Sequence, residues 1–149
     1  MSGVMEVEVE RLVPHPVEAV FARYTDHAGW SEWAGVGPVR LVREGAPQRD
    51  GVGAVRAFAQ VPPLREEVVA FDPPRSMEYR VVAGGFPLAD HLGAVRFESA
   101  PGGTRVVWRV TARWRLPGTE WLASRALALF FGRLLASLER DLDRSPALG

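Results

Sequence analysis

Residues 104–118 read TRVVWRVTARWRLPG. Val106, Trp108, Val110, Ala112, Trp114 and Leu116 fall on one parity, and Arg105, Val107, Arg109, Thr111, Arg113 and Arg115 on the other. Successive side chains of a strand point to opposite faces, so this is a strand with one buried face and one mostly arginine face in water. Pro117-Gly118 ends it. Beyond that break the chain holds no proline and only Gly132 as far as about Asp143. Trp121, Leu122, Leu127, Leu129, Phe130, Leu134, Leu135, Leu138 and Leu142 recur there at helical spacing. The spacing predicts one helix of about six to seven turns, with an apolar stripe broad enough to lie across the buried face of a sheet.

Upstream, from about residue 37, the pattern is β throughout. VRLVREG, GVGAVRAFAQ, LREEVVAFD, SMEYRVVAG and HLGAVRFES precede the strand just read, separated by AP, PP, DPPR, GGFP and PGG breaks. Six strands joined by short turns imply an antiparallel meander. Near the N-terminus, VMEVEVERLV (4–13) puts Met5, Val7 and Val9 on one face and Glu6, Glu8 and Glu10 on the other, which is a seventh strand. Pro14 and Pro16 break it, and VEAVFARYTD follows with Val17, Val20, Phe21 and Tyr24 on one side of a short helix. HAGWSEWA then sets Trp30 and Trp33 one helical turn apart, both indoles on a common side. The expected fold is α+β: a seven-stranded curved antiparallel sheet around a long C-terminal helix, with two short helices after strand 1. Residues 1–149 read as a single domain, without internal repeat or linker.

Composition agrees and excludes several function classes. A chain of 149 residues buries roughly 70% of its unfolded surface, enough for a core and a cavity together. Apolar residues are 47% and charged residues 24%, which is globular composition. Eighteen basic and 18 acidic residues cancel and are spread along the chain, so no net field draws in nucleic acid. Every basic residue is arginine, and Lys, Asn and Ile are absent, the codon bias of a GC-rich, bacterial genome. Without cysteine there are no disulfides, thiolate metal sites or thiol nucleophiles. MSGVMEVEVE lacks the basic start and apolar run of a signal peptide. The apolar run ALALFF is far short of the ~20 residues of a membrane span. A cytoplasmic protein with no integral membrane segment is expected.

The order of elements is that of the helix-grip fold, and local motifs fit the same group. These are VPHPVEAVFARYTDHAGWSEW at the first helix, GVGAVRAF, VVAFDPPRSMEYRV, and GGTRVVWRVTARW before the last helix. The chain resembles the START-like (SRPBCC) superfamily, closest to its polyketide cyclase/dehydrase and lipid-transport branch. Each motif alone is mostly structural, since prolines and glycines set turns and aromatics fill a sheet face. The resemblance implies a cavity that holds an apolar or amphipathic small molecule, adapted to catalysis in some members; chemistry must come from the lining.

Several polar and aromatic residues are candidates for that lining. His91, at the start of HLGAVRF, shares parity with Gly93, Val95 and Phe97, so its imidazole points toward the cavity mouth as a polar contact or general base. A strand-end histidine bonded to backbone or water is the plainer alternative. Asp90 should point the other way. Arg56 and Glu66 or Glu67 lie on consecutive strands joined by a Val-Pro-Pro turn, so a cross-strand ion pair is expected, inward as a ligand anchor or outward as a surface pair. Tyr79 shares parity with Met77 and Val81, an inward ring whose hydroxyl needs a partner. Trp30, Trp33, Trp108 and Trp114 can stack on a flat ligand or simply fill the core. His15 and His27 form no metal-ligand pattern with His91, and GVGAV lacks the third glycine of a dinucleotide fingerprint. No metal and no cofactor are expected.

Three functions remain. The first is a carrier or sequestering protein for a small hydrophobic molecule, lined by Trp30, Trp33, Arg56, Glu66, Tyr79, His91 and Trp108, with self-association into a homodimer open. The second is a cyclase/aromatase or dehydratase in which His91, with Tyr79 or Arg56, moves a proton; it requires a polar cluster inside an apolar cavity. The third is a protein-interaction module with a closed interior, favoured by a cavity below roughly 300 Å³.

Overall fold

The structure, a computed structural model, describes residues 4–60 and 63–144. Ten elements follow one another: β1 (Val4–Val13), α1 (Val17–Thr25), α2 (Trp30–Trp33), β2 (Val39–Arg43), β3 (Val55–Phe58), β4 (Leu64–Asp72), β5 (Ser76–Gly84), β6 (Leu88–Ala100), β7 (Gly103–Trp114) and α3 (Glu120–Arg144). The strands form one antiparallel sheet in the order β1-β7-β6-β5-β4-β3-β2, a meander from β2 to β7 with β1 added beside β7. The curved sheet wraps α3, as expected. Val61 and Pro62 of the expected Val-Pro-Pro turn lie outside the described residues.

The strand boundaries differ from expectation in three places. GVG at 51–53 is a turn and not strand, with Gly53 at φ +91°, a conformation glycine adopts without cost. β7 stops at Trp114, and Leu116 is exposed in the turn that leads to α3. β6 starts three residues before His91, at Leu88, and its pairing with β7 slips between Ala89 and Leu92. Asp90 sits in that slip at φ +53°, turned outward toward Arg113. His91 keeps the alternation of Gly93, Val95 and Phe97 and faces the interior, while the slip brings Leu88 rather than Ala89 to the same side, as bulges do.

The core lies between the inner sheet face and α3, with α1 and α2 closing one end. Alternation chooses its members: Met77 and Tyr79 on β5, Val95 and Phe97 on β6, Val106, Trp108 and Val110 on β7. From α3 come Phe131, Leu134, Leu135 and Leu138, each contributing roughly 1.5–3 kcal/mol by leaving water. Phe131 packs on Trp108 with ring centroids 4.7 Å apart. The outer face is charged: Arg105 pairs with Glu10, Arg109 with Glu6, and Glu67 with both Arg43 and Arg80.

The first half of α3 is unusually apolar for its exposure. Trp121, Leu122, Leu129 and Phe130 face outward, and an 18-residue window of the helix reaches a mean hydropathy of 1.3 with 28% of it buried. The helix is thus long and apolar enough, by length and composition, to cross a membrane, which the short run ALALFF did not suggest. Its second half is held in the fold by Asp141, whose carboxylate accepts from Arg23 of α1 at 2.8 Å, and by Ser137, which donates to the Trp33 carbonyl.

Candidate functional site

A cavity of about 230 Å³ lies between the sheet and α3. Trp30, Phe58, Trp108, Phe131 and Leu134 form its apolar walls. Phe86, between β5 and β6, and Phe130, on α3, line it and are also exposed to solvent. Arg56, Gln60, Glu66, Tyr79 and His91 supply the polar lining, with Gln60 the only one of the five that is not buried.

The inward placement of Arg56 and Glu66 follows from register. The two residues are direct partners across β3 and β4, and Phe58 and Val68, two positions along their strands, face the core. Glu67, the other candidate, points outward to the arginines of the surface. Arg56 is 1% exposed and Glu66 7%. Nε and Nη2 of Arg56 both reach Glu66 Oε1, at 2.9 and 2.7 Å. The guanidinium lies over the Trp30 ring at 4.4 Å and near Tyr79 at 5.1 Å, so π faces take up part of its charge. Burial disfavours that charge most, yet Glu66 together with Tyr24 and Tyr79 more than offsets it, and Arg56 stays protonated.

His27 completes this cluster. Its Nε2 lies 2.8 Å from the Asp50 carbonyl, which can only accept, so Nε2 carries the proton. The bare Nδ1 then faces Arg56 Nη1 at 3.4 Å. Burial first, and the Arg56 charge second, bring its pKa down from 6.5 to about 3. Nothing in the sequence announces this role, because His27 lies in a loop where periodicity says nothing about direction.

Tyr79 and His91 lie on adjacent strands with ring centroids 5.8 Å apart. Trp108 Nε1 donates to the Tyr79 hydroxyl at 3.0 Å, leaving the phenol's own hydrogen without an acceptor among the described residues. Gly93 sits across from Tyr79, and a Cβ there would run into its ring. Burial pushes the Tyr79 pKa well up, so it is a neutral phenol at ordinary pH. His91 is 8% exposed, and its Nε2 has no hydrogen-bond partner among the described residues. It is neither bonded to backbone nor at the strand start. Burial lowers its pKa; the Glu66 charge partly opposes this and the Arg56 charge adds to it.

Of the seven residues expected at the ligand, six line the cavity: Trp30, Arg56, Glu66, Tyr79, His91 and Trp108. Trp33 does not. It is buried against Trp30, with ring centroids 4.8 Å apart, so the indoles do share a side of the turn but only Trp30 reaches the cavity. Trp114 is also elsewhere, donating to Thr119 Oγ1 at the start of α3. Among the described residues no group of three His, Cys, Asp or Glu is placed to hold a metal ion.

Solved structures of the same architecture are numerous. A protein of Mesorhizobium loti superposes with a TM-score of 0.73 at 19% identity, covering 95% of this chain and 98% of that one. A protein of Nitrosospira multiformis gives 0.74 at 19%, covering 92% and 95%. The di-domain ARO/CYC protein StfQ from the steffimycin biosynthetic pathway gives 0.76 at 17%, covering 92% of this chain and 50% of that one. At these identities the likeness is one of fold. No curated protein matches the chain. The family model described as polyketide cyclase / dehydrase and lipid transport matches residues 4–143, nearly the whole length, and the chain belongs to that family.

Proposed function

We propose that the protein binds a small hydrophobic molecule in the cavity between the sheet and α3, apolar body against the aromatic walls and polar group at the Glu66, Tyr79 and His91 end. The observation that carries this is the buried His91 Nε2, without a hydrogen-bond partner among the described residues, at a largely apolar cavity. A buried polar atom without a partner costs roughly 1–3 kcal/mol, which a bound ligand would recover. The cavity volume of about 230 Å³ is below the roughly 300 Å³ that ligand pockets usually reach, which by itself favours the closed-interior module. It nevertheless exceeds the roughly 150 Å³ that holds a benzene ring, so a compact ligand fits.

The catalytic alternative has its own support, for it requires a polar cluster inside an apolar cavity, and the buried side chains of Arg56, Glu66, Tyr79 and His91 form one in this lining. Arg56 is held by Glu66 and His27, so the groups free to move a proton are His91 and Tyr79. Native mass spectrometry of the purified protein, followed by denaturing extraction, tests the binding function. A stoichiometric apolar molecule supports it and supplies a compound to assay for turnover. An empty protein that also fails to bind a panel of lipids and polyketide-like aromatics overturns it.

A further inference from the structure

We infer that Glu66 makes this cavity selective for a neutral, hydroxyl-bearing ring compound and against carboxylates. The inference rests on the binding function proposed above and narrows it to a ligand class. A buried arginine in an apolar cavity would ordinarily recruit an anion. Here Glu66 Oε1 faces both Nε and Nη2 and the lone pair of His27 faces Nη1, so the counter-charge is already in place and only the second hydrogens of Nη1 and Nη2 are left. A ligand carboxylate would have to displace Glu66 or sit beside its charge, and like charges in a poorly solvated site repel strongly.

What the buried polar side chains of the cavity leave open suits a hydroxyl. Glu66 Oε2 has no hydrogen bond within the described residues and can only accept. The Tyr79 hydroxyl, its oxygen taken by Trp108, has a hydrogen to donate. His91 Nε2 donates or accepts according to its tautomer. A hydroxyl is at once donor and acceptor and can serve Glu66 and Tyr79 together. A carboxylate, an ether or a ketone accepts only and leaves Glu66 unsatisfied. Size narrows the class further. About 230 Å³, against roughly 150 Å³ for benzene, admits a substituted single ring or a compact bicycle.

The test is isothermal titration of the whole protein with naphthalene, 2-naphthol and 2-naphthoate at neutral pH, with quenching of tryptophan fluorescence as a second readout because Trp30 and Trp108 line the site. The hydroxyl should tighten binding at least about tenfold over naphthalene, and naphthoate should bind more weakly than naphthalene. Glu66→Gln keeps an oxygen for Arg56 but removes the charge, and should bring naphthoate to or above the affinity of naphthol. Naphthoate binding as tightly as naphthol to the unaltered protein overturns the inference whether or not the variant folds. So does naphthol no tighter than naphthalene, and in that case the cavity still binds and the proposed function stands. Failure of all three compounds to bind counts against the function and the ligand class together. Should Glu66→Gln fail to fold, the pair Arg56→Gln with Glu66→Gln takes its place: both charges gone, it should lose the discrimination between naphthol and naphthoate, and retaining it overturns the inference.

Discussion

Acid should unfold this protein partly through one imidazole. His27 is fully buried, neutral, and 3.4 Å from the Arg56 guanidinium, with a pKa brought down to about 3. In the unfolded chain the same group takes a proton near 6.5. Above that pH neither state binds the proton and stability is intact. As pH falls from 6.5 toward 3 the unfolded state gains the proton alone, so stability is lost across that window. At about pH 4.5 the loss from this residue is roughly 3 kcal/mol, taking about 1.4 kcal/mol per tenfold difference in proton affinity. His27→Gln isolates the effect, since the amide can donate to the Asp50 carbonyl and accept from Arg56 but cannot titrate. Urea unfolding at about pH 7.5 and about pH 4.5 should show the unaltered protein losing roughly 3 kcal/mol more than the variant over that interval. His91 also has a lowered pKa but is present in both proteins and cancels. Parallel losses in the two proteins would refute the assignment of His27 as a buried neutral acceptor.

Three further outcomes are expected. Glu66→Ala strands Arg56 in the interior and should cost about 3–5 kcal/mol, whereas replacing the pair together, Arg56→Met with Glu66→Leu, should restore most of it; equal losses by chemical denaturation would contradict a buried ion pair. Gly93→Ala should drive the Tyr79 ring from its seat at a cost of about 1–3 kcal/mol, and because Trp108 donates to that hydroxyl, the near-ultraviolet dichroism should change; an unaltered spectrum and stability would show that Tyr79 does not rest on Gly93. Phe131→Ala removes the ring stacked on Trp108 between cavity and core and should cost about 3–5 kcal/mol by urea titration; a loss below about 1 kcal/mol would mean that α3 is not seated on the sheet there.

The architecture was legible because its strands carry a signal that burial alone produces. In β7 the apolar residues other than Val107 separate from the arginines by parity, and in β5 and β6 the same rule places Tyr79 and His91 inward. The limits of α3 were legible as well, since Pro117-Gly118 interrupts any helix and the leucine spacing then holds to its end. Where both parities carry apolar residues, the rule falls silent. β3 is flanked so, with Val55 on one face and Phe58 on the other, both buried. The side taken by Arg56 therefore depends on the neighbouring strand, which no single-strand pattern contains.

The same limit explains what the histidines concealed. His91 was found because a strand gives direction to its side chains; His27 was missed because a loop gives none. Their chemistry is nevertheless joined through Arg56, whose charge lowers the pKa of both. The cation needs a counter-charge to be buried at all, and Glu66 supplies it from within the chain. A cavity that neutralises its own cation has no need of an anionic guest. The atoms that its buried polar residues leave open, Glu66 Oε2, the Tyr79 hydrogen and His91 Nε2, ask instead for a group that both gives and accepts a hydrogen bond. Fold and family point to a container; this internal neutralisation of Arg56 is what gives the container a preference.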